Sequence, residues 1–178
     1  MVLHNIAPVY DARSRILLLG SFPSVKSREA AFFYAHPQNR FWPLLAMLCG
    51  EPTPRSVAEK RALLLRRRIA LWDVIASCEI DGSADASIRS AAPNDLARIL
   101  RAAPIEAIFC NGGTAYAAYR RLAEPSLGRG AIRLPSTSAA NASWSMARLR
   151  AAWQAQLAPY IGEETVDEAA RAEYTNEK

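Results

Sequence analysis

Four apolar runs, at 16–19, 69–75, 105–110 and 131–134, are each followed by turn residues and then by a helical pattern. Continuous apolar runs spaced too widely for hairpins read as parallel strands buried on both faces. The strand–helix alternation predicts an α/β fold: a three-layer α/β/α domain around a central, mostly parallel four-stranded sheet. Helix signals fill the intervals. Ser56 and Glu59 have the form of a capping box, opening a helix through Leu65. Pro93-Asn94-Asp95 opens another, with Leu96, Ile99, Leu100 and Ala103 on one face. Ala115, Ala118, Tyr119 and Leu122 repeat that spacing after Gly112-Gly113, and a last helix buries Met146, Leu149, Trp153 and Leu157.

Each strand ends in a polar cluster. These are Gly20-Ser21-Phe22-Pro23-Ser24, Asp73 with the polar residues of 77–85, Asn111-Gly112-Gly113 and Pro135-Ser136-Thr137-Ser138. In a doubly wound sheet such ends converge on one edge, where open α/β folds hold their ligands. The loop His36-Pro37-Gln38-Asn39-Arg40, which leads into Phe41-Trp42 and an apolar helix, adds hydrogen-bonding groups to that edge.

The chain has 178 residues and net charge +5. One domain is expected over 1–162, followed by an acidic tail at 163–178. The tail takes six of the seventeen acidic residues and two of the twenty-two basic ones, so 1–162 holds eleven against twenty, a net of +9. A basic body suits a polyanionic partner, although ordinary solubility charge reads the same way. No apolar run approaches the roughly 20 residues of a membrane span, and a secretory start is missing. A cytoplasmic monomer with no membrane contact is expected. Cys49, Cys78 and Cys110 are too widely spaced for a zinc or iron–sulfur site and read as small buried thiols, so no metal or other cofactor is expected.

The Gly-x-x-Pro turn at 20–23 and the run Leu134-Pro135-Ser136-Thr137-Ser138 resemble the two motifs of the uracil-DNA glycosylase superfamily. The run from Tyr34 to Trp42 is similar to a segment of its mismatch-specific uracil/thymine members. With Leu71-Trp72-Asp73-Val74-Ile75 and Gly82-Ser83-Ala84-Asp85, the pattern looks most like the hypoxanthine-DNA (deoxyinosine) glycosylase branch, over roughly residues 13–158. The resemblance implies a monofunctional DNA glycosylase. It would hydrolyse the N-glycosidic bond of a deaminated base, hypoxanthine first, flipped out of DNA, and leave an abasic site. Much of the superfamily carries Asp or Asn at the third place of the first motif to direct the attacking water. Phe22 stands there and can do neither. The hypoxanthine branch is thought to use the Asn of its Asn-Arg-Phe-Trp run, which matches Asn39.

Asn39 is therefore the candidate catalytic residue, holding a water against C1′ through its amide oxygen or nitrogen. By position alone it also reads as an N-cap of the following helix. Asn is no strong base, so the reaction must be largely dissociative, with water capturing a cationic sugar. Tyr34, at the family's stacking position, and Phe33 and Phe22 are candidates to contact the extruded base, although aromatics before a helix are also core residues. Asp73 and Asn111 could read a purine edge; Asp73 could equally brace a loop and Asn111 a turn. Ser136, Thr137 and Ser138, placed at the start of the last helix, offer hydroxyls and N–H groups to phosphate. Ser21, Ser24, Lys26, His36 and Arg40 complete the candidate DNA contacts. Arg28 lies beside the cleft, while Arg66-Arg67-Arg68 reads as a solvated helix end. The alternatives are a uracil/thymine mismatch glycosylase of the same fold and a non-catalytic DNA-binding module. A nucleotide-binding protein is disfavoured by the missing Gly-x-Gly-x-x-Gly and P-loop Lys.

Overall fold

A computed structural model describes residues 1–82, 84 and 87–161. The expected tail at 163–178, and Ser83 and Asp85 of the quoted motif, lie outside the described residues.

All four apolar runs form strands, and they build one sheet. Strands β2 (Ile16–Gly20), β3 (Ile69–Asp73), β6 (Ala107–Asn111) and β7 (Ile132–Leu134) lie in the order β3-β2-β6-β7, every pair parallel. Strands β2 and β3 are buried at all five positions, as a sheet covered on both faces requires. Helices flank it. Helix α2 (Phe41–Cys49) packs on α7 (Met146–Ile161), α3 (Val57–Arg66) on β3, and α5 (Gly113–Leu122) on β6, β7 and the short α6 (Glu124–Leu127). The Ser56 hydroxyl caps α3 by accepting from the Glu59 N–H at 3.1 Å. Helix α2 stops at Gly50, whose φ of 65° is the left-handed turn that glycine adopts without strain.

The chain leaves β2 for β3 on one side and later returns to β6 on the other. The crevice between the carboxyl ends of β2 and β6 is thus the topological switch point. The ladder pairs Gly20 with Asp73 and Asn111 with Leu134, which brings the polar strand ends level.

A second sheet was not anticipated. Strands β1 (Val2–Leu3), β4 (Ile75–Glu79) and β5 (Arg89–Pro93) form an antiparallel sheet in the order β1-β4-β5. The run 69–75 therefore spans two strands, breaking at Val74. Pro93 ends β5, and the next helix, α4 (Ala97–Ala102), begins later than expected. The N-terminal segment lies along this junction. Val9 and Leu71 exchange backbone hydrogen bonds at 2.9 and 2.8 Å, and Trp72 Nε1 donates to the Ile6 carbonyl at 3.1 Å.

Two further expectations need correction. Residues 135–145 form a loop, so Ser136, Thr137 and Ser138 do not open the last helix, which begins at Met146. The 66–68 basic run does end a helix, with exposed Arg66 the last residue of α3, but it is not left to solvent alone. Arg66 and Arg67 both pair with Glu51, and Arg67 also donates to the Cys49 carbonyl at 2.7 Å. All three thiols are buried, and burial pushes Cys49 up to about 11 and Cys110 up to about 12, which makes both poor nucleophiles.

Candidate active site

An open cleft of about 650 Å³ occupies the switch point. Its walls come from 20–24 after β2, Asp73, Asn111, the 136–140 part of the β7 loop, and Tyr34, His36, Gln38 and Asn39 before α2. Of the candidate site residues, only Lys26 and Arg40 are missing from the wall. Lys26 is exposed and pairs with Glu29 at 3.0 Å.

Three side chains across the cleft floor form one chain of hydrogen bonds. The Asn111 amide grips Thr137 twice: Nδ2 donates to the Thr137 hydroxyl at 2.9 Å, and Oδ1 accepts from its N–H at 3.0 Å. The fully buried Thr137 hydroxyl donates in turn to Asn39 Oδ1 at 3.0 Å. Asn39 Oδ1 also accepts the Phe41 N–H at 2.9 Å. A backbone N–H can only donate, so the Asn39 amide has one permitted orientation. Its oxygen is filled by two donors, and its nitrogen has no hydrogen bond among the described residues. Asn39 therefore offers N–H groups to the cleft, and the acceptor role considered from sequence is closed. The capping reading is satisfied by the same oxygen, although Arg40 is the residue at the N-cap position.

This chain also revises two expectations. Asn111 uses its paired donor and acceptor on Thr137, so it braces the floor instead of reading a base bidentately. The Thr137 hydroxyl is occupied on both sides and is not free for phosphate. Ser136 and Ser138 hydroxyls accept from the Ser138 and Ala140 N–H groups, each at 3.2 Å, and shape the loop. Ser24 caps the short helix α1 (Val25–Glu29), accepting from the Ser27 N–H at 3.2 Å.

Arg40 is the largest departure. Its guanidinium donates to the carbonyls of Thr137, Ser138, Asn141 and Trp144, with Ser138 at 2.8 Å and Asn141 at 3.0 Å. A planar fork wrapped in carbonyls cannot also hold a phosphate. Arg40 is the internal clamp of the β7 loop, not a DNA contact. Ala139 and Ala140 stand exposed on that clamped loop.

The aromatics divide. Phe33 is 2% exposed, packs edge-on against Phe32 at 5.6 Å and gives its carbonyl to Trp42 Nε1, so it is core and not a stacking platform. Phe22 is buried at the cleft wall, with the Arg28 guanidinium 5.7 Å from its ring centre. Tyr34 lines the cleft and stacks on Phe41 at 4.1 Å and 22°. Its φ of 53° is a left-handed conformation costing a side-chain-bearing residue about 1–2 kcal/mol. Gly20 matters for a different reason. A Cβ there would collide with the Asp73 carboxylate and come within 3.0 Å of Tyr34 Oη, so only glycine lets both approach the strand end. Gly112, at φ 100°, allows the same close approach to Ser136.

His36 is exposed on the wall, its Nδ1 accepting from the Gln38 N–H at 3.2 Å. Ser21 sits at the buried base of the first motif. His4, set aside in the sequence as a residue without a role, has its Nε2 2.8 Å from Asp73 Oδ2. The two are 69 residues apart, and the docking of the N-terminal segment on β3 and β4 joins them. No local sequence signal marks that contact.

A family model described as the uracil DNA glycosylase superfamily matches residues 7–157. A protein of Methanosarcina acetivorans named hypoxanthine DNA glycosylase is 32% identical over 156 residues, covering 87% of this chain and 98% of that protein. A Methanosarcina barkeri protein of the same name is 32% identical over 114 residues, covering 63% and 72%. The solution NMR structure of a Methanosarcina acetivorans protein, provisionally described as a uracil DNA glycosylase, superposes with a TM-score of 0.75 at 32% identity. That match covers 88% of this chain and 96% of the other. With the cleft at the switch point of a parallel sheet, these matches make the chain a member of the uracil DNA glycosylase superfamily and a DNA glycosylase.

Proposed function

We propose that this glycosylase releases hypoxanthine from deoxyinosine in DNA by hydrolysis at C1′, with Asn39 as the catalytic residue. The observation that carries the reading is the fixed Asn39 amide, which turns its N–H groups into the cleft while Phe22 leaves the third place of the first motif without a polar side chain. The relatives named for hypoxanthine support the substrate.

An amide N–H can hold a water by its oxygen but cannot take its proton. Such a site suits a dissociative path in which the bond to the base breaks first, its electron pair leaving with hypoxanthine as the anion. Water then adds to the cationic sugar, and the resulting oxonium, a strong acid, gives its proton to solvent. The protein's contribution is preorganised hydrogen bonding and position. Tyr34 supplies a stacking surface for the extruded base, worth roughly 1–3 kcal/mol. The clamped loop 136–144 meets the duplex at the vacated position. No lysine lines the cleft among the described residues, in keeping with an intact abasic strand as product.

Single-turnover base release from duplexes containing deoxyinosine, deoxyuridine, deoxyxanthosine or a G·T mismatch tests the proposal. Fastest release from deoxyinosine is expected. Release from deoxyuridine with none from deoxyinosine would move the substrate to uracil, and salt-sensitive DNA binding without release would leave a binding module.

A further inference from the structure

His4 lies behind the cleft wall, paired with the wall residue Asp73. Both side chains are almost wholly buried, at 2% and 5% exposure. The imidazole packs among Phe22, Phe33 and Trp72, with ring centres 6.0, 6.3 and 6.2 Å away. Its Nδ1 accepts the Ile6 N–H at 3.2 Å, so Nδ1 carries a lone pair and the proton sits on Nε2. His4 is thereby the neutral Nε2–H tautomer, and the 2.8 Å contact runs from His4 to Asp73 Oδ2. The other carboxylate oxygen, Oδ1, faces the strand end beside Gly20, where Asp73 forms part of the cleft wall.

Hydrolytic deamination changes a base in one consistent way. The exocyclic amine becomes a carbonyl, and the adjacent ring nitrogen gains a proton. Adenine N1 and cytosine N3 carry lone pairs, whereas hypoxanthine N1 and uracil N3 carry N–H. A fixed acceptor at that edge pairs with the deaminated base and opposes its parent. A site whose buried polar group is left unpaired by the wrong ligand discriminates far more strongly than an apolar pocket does.

We infer that His4 is a positioning residue for base selection: it holds Asp73 so that Oδ1 faces the cleft as an acceptor for the ring N–H of a deaminated base. The inference rests on the glycosylase reading above. It also predicts how Asp73→Asn should behave. The His4 N–H would draw the new amide oxygen toward itself and turn the amide nitrogen into the cleft, where it opposes hypoxanthine N1–H. Removing the His4 donor would free that amide to flip.

The test is single-turnover hypoxanthine release by wild type, Asp73→Asn, His4→Leu, the double variant and His4→Gln, whose amide N–H can replace the imidazole donor. Asp73→Asn should slow release by about 10- to 100-fold, and adding His4→Leu should restore part of that loss. His4→Gln should stay within about three-fold of wild type. Equal further losses from His4→Leu in both backgrounds, or an unchanged rate in Asp73→Asn, would overturn the inference. The His4 ring nitrogens are read separately by ¹⁵N NMR of the wild-type protein: Nε2–H is expected, and Nδ1–H would overturn it. That spectrum needs no activity, so a wild type releasing no hypoxanthine would defeat the glycosylase reading separately.

Discussion

Replacing Thr137 by Val keeps the shape of a fully buried side chain and removes only its hydroxyl. That hydroxyl accepts from Asn111 Nδ2 and donates to Asn39 Oδ1, so one change breaks both links of the floor. An orphaned buried donor costs about 1–3 kcal/mol, and because Asn111 is only half-buried a loss of about 1–2 kcal/mol is expected. In a domain of this size that lowers Tm by roughly 2–8 °C. The kinetic effect is separate. Asn39 keeps only the Phe41 N–H to orient it, and losing about 1–2 kcal/mol of transition-state ordering slows release by about 5- to 30-fold. Thr137→Ser retains the hydroxyl and should remain within about three-fold, even though the lost methyl costs about 1 kcal/mol of stability. Single-turnover release and thermal melts on the two variants separate packing from orientation. If Thr137→Val melts lower yet releases base at the wild-type rate, the floor does not order Asn39 and the reasoning fails.

Arg40→Lys removes the fork that ties four carbonyls and should cost about 2–4 kcal/mol of stability. Release from duplex DNA should slow at least about ten-fold while release from single strands changes less; equal losses, with a shallower salt dependence of binding, would mark Arg40 as a phosphate contact instead. Glu51 tests the anchor below α2. Its hydrogen bonds to Arg66, followed by those to Arg67, hold the carboxyl below its usual range. A lowered native pKa gives stability that is complete above the unfolded-state value and lost as pH falls through the native one. Glu51→Gln should therefore lower Tm at pH 7, with the gap to wild type closing below about pH 4. A gap that persists undiminished at pH 3 would exclude the ion-pair origin.

The parallel sheet was legible because its strands are buried on both faces, which leaves uninterrupted apolar runs in the sequence. Strand β5 was not, since four of its five residues are exposed and it carries no alternation. Strand β4 hid behind β3 because the apolar run continues through Val74. The cleft followed from the strand ends, but the partners within it did not. Arg40 beside Asn39 reads as a phosphate ligand until the fold brings in carbonyls about a hundred residues away. Ser136-Thr137-Ser138 has the chemistry of a helix start, yet those hydroxyls organise a loop. His4 reaches Asp73 through the docking of the N-terminal segment on β3 and β4, a tertiary contact with no local signature.

The most direct test of the account compares hypoxanthine release from a deoxyinosine duplex by wild type, Asn39→Ala and Asn39→Asp under single-turnover conditions. The carboxylate can still accept from Phe41 and Thr137 but offers the cleft no N–H. If Asn39 acts by donating, both variants should fall by about 10² to 10³ in rate. Asn39→Asp releasing base as fast as wild type, or faster, would show that the position works by accepting a proton, and the central claim would be wrong.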